Sequence, residues 1–289
     1  MRYVVGFTPN DRGADAVALA AVIARTQGAK LDLVYVVREG TPYVALNPDG
    51  NRVDAAEQRV LTAQREAQKL IPADVESEFH IREADSFASG LIEAAVEFEA
   101  RLIVIGAASN GLFKRFTVGS VANALLHASR VPVALAPRGY QRTQPLTRLT
   151  AMVGTREGWE GVVNVGVSAA ARRHLPLRLV SVVELDELKQ TEYELDNALS
   201  PARQHVNSVL AGAASRLPEG TTTTTLAHGR SIEEAIDGLG WEDGELVIMG
   251  SSRLAQHRQL FLGTTANKVL RALPVPMVVV PRDYDSLDD

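Results

Sequence analysis

The sequence contains no cysteine, which excludes disulfides, thiolate metal sites, iron–sulfur clusters and a cysteine nucleophile. Aromatic residues make up only 5%, and no apolar run approaches the ~18 residues needed to cross a bilayer. Residues Met1 to Asn10 have a strand's pattern in place of a basic region and a cleavage site, so a cytoplasmic protein without a membrane partner is expected. A large excess of one charge is missing too. The 30 Lys and Arg against 35 Asp and Glu leave a formal charge of −5, so a nucleic-acid partner is not expected without a local basic patch. What is present is an ordinary globular composition, 46% hydrophobic and 22% charged, over 289 residues, enough for two domains.

An internal repeat divides the chain. Leu102-Ile103-Val104-Ile105-Gly106 returns as Leu246-Val247-Ile248-Met249-Gly250, and Thr117 to Asn123 returns as Phe261 to Asn267. Val131-Pro132-Val133 followed by Pro137-Arg138 returns 144 positions later as Val275-Pro276-Met277 followed by Pro281-Arg282. The amino-terminal parts align more loosely, Leu31 to Val37 with Leu177 to Val183. Two homologous halves follow, 1–139 and 147–289, with the polar, proline-ended stretch 140–146 as linker.

Within the first half, short apolar runs alternate with helical patterns. Strands are expected at Tyr3 to Phe7, Leu31 to Val37, Glu76 to Ile81, Leu102 to Ile105 and Val131 to Ala136. Helices are expected at Ala14 to Arg25, Asp54 to Leu70, Ser89 to Phe98 and Val118 to Ala128. Strands that are apolar at nearly every position suit a parallel sheet covered on both faces, so each half is predicted as an α/β, doubly wound sheet. Such a sheet takes ligands outside the carboxyl ends of its strands, where the strand order reverses. Thr221 to Thr225 reads as a β-forming or loop stretch leading into the third strand of the second half. Glu184 to Glu194 and Arg38 to Arg52 read as solvated loops or helix starts.

The loop after the fourth strand is specific. Gly106-Ala107-Ala108-Ser109, then nine residues, then Gly119-Ser120 before a helix and a Val-Pro-Val strand resembles the universal stress protein family. Its motif reads Gly, two residues, Gly, nine residues, Gly, then Ser or Thr. The second half repeats the layout from Gly250 through Arg253 to Gly263-Thr264. The resemblance covers the whole chain and implies two Rossmann-like, five-stranded parallel sheets of order 3-2-1-4-5. It implies ATP or another adenine nucleotide as ligand, with Val36 and Val182 bordering the adenine. It also implies domains that pair through their last strands as an internal pseudo-dimer, with a homodimer beyond that left open.

The motif has its own physical logic. A loop entering a helix offers unpaired backbone N–H groups and the positive end of the helix dipole to phosphate oxygens, and glycine lets the backbone approach them. Ser120 and Thr264 would add a hydroxyl donor or cap the helix. Both halves depart from the family pattern. Ser109 and Arg253 replace the middle glycine, and Thr8 and Thr155 stand where the family's ATP binders carry an acidic residue. These changes weaken nucleotide binding; Lys114 and Arg115 in one loop, and Arg253, His257 and Arg258 in the other, offer compensating charge.

The six histidines share no metal-ligand spacing and none recurs between the halves. No Gly-x-Ser-x-Gly elbow and no Walker lysine supports a catalytic site. The expected function is therefore a non-enzymatic, adenine-nucleotide-responsive stress or regulatory protein, with slow ATP hydrolysis left open. The alternative is a nucleotide-free interaction module with filled pockets. An adenylating enzyme ranks last, because Thr8-Pro9-Asn10-Asp11 stands where its pyrophosphate loop would be.

Overall fold

Alternation of buried strands with striped helices dictates the architecture. A computed structural model describes residues 1–38, 44–46, 52–107, 119–154, 159–185, 192–252, 255, 257, 260–282 and 284. The first half runs β1 (Arg2–Gly6), α1 (Asp11–Arg25), β2 (Lys30–Arg38), β3 (Val44–Leu46), β4 (Arg52–Asp54), α2 (Ala55–Leu70), β5 (Ser77–Ala84), α3 (Phe87–Glu97), β6 (Leu102–Gly106), α4 (Ser120–Ala128) and β7 (Val133–Ala136). The second runs β8 (Arg148–Met152), α5 (Trp159–Arg173), β9 (Leu177–Glu184), α6 (Glu192–Ala214), β10 (Thr222–Gly229), α7 (Ile232–Asp237), β11 (Glu245–Gly250), α8 (Thr264–Ala272) and β12 (Met277–Val280).

Each half is a parallel sheet of the expected order, β5-β2-β1-β6-β7 and β10-β9-β8-β11-β12. The two sheets are not separate. β7 and β12 pair antiparallel, with Val133, Ala134 and Leu135 opposite Val279, Val278 and Met277, and so form one ten-stranded sheet. The last strands thus satisfy each other within the chain. One core cluster covers the face under α1 and α5, the other the face under α3, α4, α7 and α8, and each contains residues of both halves.

One segment differs from expectation, and another takes the first of the two forms expected of it. The insertion after β2 holds the antiparallel hairpin β3–β4, not only a loop or helix start. The threonine run, read as a β-forming or loop stretch, is β-forming: Thr222 to Thr225 begin β10, which pairs along its length with β9, because β-branched threonines suit a sheet's edge.

Near the amino ends of the strands, each half buries one carboxylate against arginine. In the first, Asp32 on β2 is fully buried, takes two bonds from Arg2 at 2.7 and 2.5 Å, and lies 2.9 Å from His80 Nε2, while Arg2 stacks over Phe98. In the second the acid moves to β11. Glu245 accepts from Arg148 and Arg178 at 2.6 Å and from Thr150, with Arg178 over Trp241. The duplicated fold keeps the arrangement of acid, arginine and ring but exchanges the strand that supplies the acid.

Candidate functional site

In the first half the strand order reverses at β1, flanked by β2 and β6, and the crevice there is bounded by the end of β1, the start of α1 and the end of β6. A Cβ on Gly106 would lie 2.2 Å from the Arg12 carbonyl oxygen. The first turn of α1 therefore presses on the end of β6, and this glycine is required by packing whatever the site binds. The Thr8 hydroxyl donates to Asn10 Oδ1 at 2.9 Å, and the same oxygen accepts the Gly13 N–H at 3.3 Å as the cap of α1. Thr8 thus supports the helix entry beside the crevice. Val36 is buried against α3, where a Cβ on Gly90 would stand 2.9 Å from it.

Gly119 occupies the cap position of α4 without a side-chain bond, and Ser120 is the exposed first helical residue. The second half repeats this with Gly263 and Thr264. The expectation that the two hydroxyls cap their helices is corrected accordingly. They sit one residue too far into the helix to accept from its first-turn amides as a cap does. Among the described residues, no side chain caps either helix start. Ser109, Lys114 and Arg115 lie outside the described residues, as do Thr155, Arg253 and Arg258.

The second loop is occupied by its own backbone. After Gly250 closes β11, the Ser251 N–H goes to the Val280 carbonyl at 2.8 Å and the Ser252 N–H to the Phe261 carbonyl at 2.8 Å. Ser251 Oγ in turn accepts the Phe261 N–H at 2.7 Å. The first half braces this segment. The Leu260 N–H reaches the Ser129 carbonyl at 3.0 Å, and the Phe261 ring stands edge-on to His127 at 5.0 Å. His257 is exposed, and Val182 on β9 is half-buried.

Two residues beside the second crevice escape sequence reasoning. His205 Nε2 lies 3.0 Å from the Gly154 carbonyl just past β8, and its ring packs edge-on to Trp159 at 5.2 Å. His205 sits on α6, and the matching helix α2 carries no histidine, so no repeat signal marks it. Three ligand-type atoms also meet at Asp32, Glu78 and His80, within 4.8 Å of one another. Arg2 already holds Asp32 bidentately and Lys30 holds Glu78 at 2.7 Å, so this cluster is neutralised by the chain itself.

Comparison with known proteins assigns the family. The model of the universal stress protein family matches twice, over residues 1–137 and 151–281. A universal stress protein of Mycobacterium tuberculosis is 31% identical over 299 residues, covering 97% of this chain and 100% of the relative. One from Mycolicibacterium smegmatis is 24% identical, covering 96% of each. Among solved structures, a universal stress protein from Archaeoglobus fulgidus superposes with a TM-score of 0.65 at 17% identity, covering 97% of this chain and 96% of that one. A functionally unknown protein from Pseudomonas aeruginosa gives 0.63 at 17% identity, covering 98% and 92%. The duplicated motif, the repeated strand order and these matches agree that the chain belongs to the universal stress protein family as a tandem member.

Proposed function

We propose that the chain is a non-enzymatic stress or regulatory protein that responds to an adenine nucleotide through its first half. The observation that carries this reading is the start of α4, where Gly119 and exposed Ser120 leave the first-turn amides without a side-chain cap at the family's phosphate position. The second half is read as the poorer receptor, because the Ser252 N–H is already bonded to the Phe261 carbonyl and Ser251 Oγ accepts the Phe261 N–H; the Ser251–Val280 bond does not set it apart, since Ala107 and Ala136 repeat it in the first half. Isothermal titration with ATP, ADP and AMP tests the proposal. Binding that is lost in Gly119→Val supports it; unchanged affinity in that variant places the site elsewhere.

A second reading is a nucleotide-free interaction module. The self-paired loop of the second half favours it, since a filled bend has no further use for a phosphate. No heat with any of the three nucleotides at high micromolar concentration would select this reading. A homodimer, in either case, would have to form through a surface other than β7 and β12, which are paired with each other.

A further inference from the structure

On the α1 and α5 face, over the seam between the halves, lies a cavity of about 240 Å3. Its lining includes Tyr3, Leu102, Leu149, Ile248 and Val278, with Arg173 on one wall. Tyr3, Leu102 and Leu149 come from the amino-terminal parts of their strands, whereas the nucleotide loops follow the carboxyl ends, so this space is distinct from them.

Arg173 is the unusual member. It is the last residue of α5, as Arg25 is the last residue of α1, and both helices are 15 residues long. Arg25 reaches out to Asp74 with two bonds of 2.7 and 2.9 Å. Arg173 instead turns into the space between the halves. Its Nε donates to Thr26 Oγ1 at 3.0 Å and its Nη1 to the Ala169 carbonyl at 3.4 Å, and the Gln27 amide oxygen can accept from it at 3.3 Å. No carboxylate among the described residues pairs with it, and the neighbouring positive charge of Arg172 acts against it. Burial pulls its pKa down from the ordinary arginine value. A desolvated guanidinium that meets no carboxylate among the described residues is costly, and its planar fork is suited to a carboxylate. The Tyr3 hydroxyl, on the same lining, has the Met1 sulfur as its acceptor at 3.2 Å, a weak partner that an oxyanion would displace.

We propose that this inter-half cavity binds a small amphipathic carboxylate, its charged head on Arg173 and the Tyr3 hydroxyl and its apolar body over the sheet seam. The space falls just below the ~300–1,000 Å3 of drug-sized sites, which restricts the ligand to a short acyl or monocyclic aromatic acid. A ligand held there touches both halves at once, and the inference does not depend on nucleotide binding.

The test is isothermal titration of the full chain with octanoate and, as a neutral control of equal length, 1-octanol. It is repeated on Arg173→Met, Arg173→Lys and a chain with Asp285, Asp288 and Asp289 changed to Asn. The expected result is saturable octanoate binding, at least tenfold tighter than octanol. Arg173→Met should weaken octanoate tenfold or more while raising the melting temperature of the ligand-free protein, and Arg173→Lys should fall between. Equal affinity for acid and alcohol, or octanoate binding that survives Arg173→Met, overturns the proposal. Silence in the natural chain together with binding in the Asn-substituted chain also overturns it, giving the cavity to the chain's own acidic terminus. Silence in both overturns it outright.

Discussion

The buried carboxylate of Asp15 on α1 accepts the backbone N–H of Gly139 at 2.9 Å, across the whole first half of the sequence. Burial raises its pKa to about 6, and the bonds from the Gly139 and Tyr140 backbone only partly oppose this. The folded state therefore holds this proton more tightly than the unfolded chain. Its contribution to stability falls as pH rises from the unfolded value near 3.8 through about 6, and the cost is fully present above that. Asp15→Asn keeps the acceptor and removes the charge. It should stabilise the protein by about 2 kcal/mol at pH 7.5 and have little effect at pH 4, as urea denaturation at the two pH values would show.

Glu245 works in the opposite sense. Burial alone would raise its pKa, but the bonds from Arg148 and Thr150 and the nearby charge of Arg178 overcome this and hold it below the usual value. Its contribution is present above the unfolded value near 4.5 and is lost as pH falls through the lower folded pKa. Glu245→Ala leaves the buried Arg178 without its acid and Arg148 with only Glu242, and should cost about 3–5 kcal/mol at pH 7 by the same denaturation measurement.

The two halves should differ in nucleotide stoichiometry. If the self-paired loop silences the second half, titration will saturate at one nucleotide per chain. Gly119→Val should remove that binding. Gly263→Val, where the added Cβ would meet Ser252 Oγ at 3.3 Å, should leave it intact. Two equivalent sites, or loss of binding in both variants, would contradict this assignment.

Gly106→Ala should destabilise the fold before it reports on any ligand. The new methyl would collide with main-chain atoms of Arg12, which cannot swing aside as a side-chain tip can. A loss of about 3 kcal/mol or more is expected, read as a fall in melting temperature without ligand.

Much of the architecture was legible because it is written twice. The LIVIG and LVIMG runs, the matched glycine loops and the Val-Pro strands each fix an element by local pattern, and the family resemblance implies the strand order. Elements that occur once were harder to read. The β3–β4 hairpin lies in an insertion with no counterpart to align, and α6 with His205 takes the place of α2, which carries no histidine. The threonine run lacked the apolar alternation that marks a half-buried strand, because as β10 it sits at the edge of the sheet. Ser120 and Thr264 were misjudged by one residue, which is enough to separate a helix cap from the first helical position. Arg173 gave no signal at all. It reads as a helix-ending arginine like Arg25, and only the packing of α5 against α1 turns it inward.

The pairing of Val133–Ala136 with Met277–Val280 also has a consequence for biosynthesis. The strand that completes the first sheet follows it by about 140 residues, and at 5–20 residues per second the ribosome needs on the order of ten seconds to deliver it. Through that interval the nascent amino-terminal half presents a bare backbone edge, open to capture by a neighbouring chain or a chaperone. Slowing elongation between the halves should therefore lower the yield of folded monomer more than slowing it within either one.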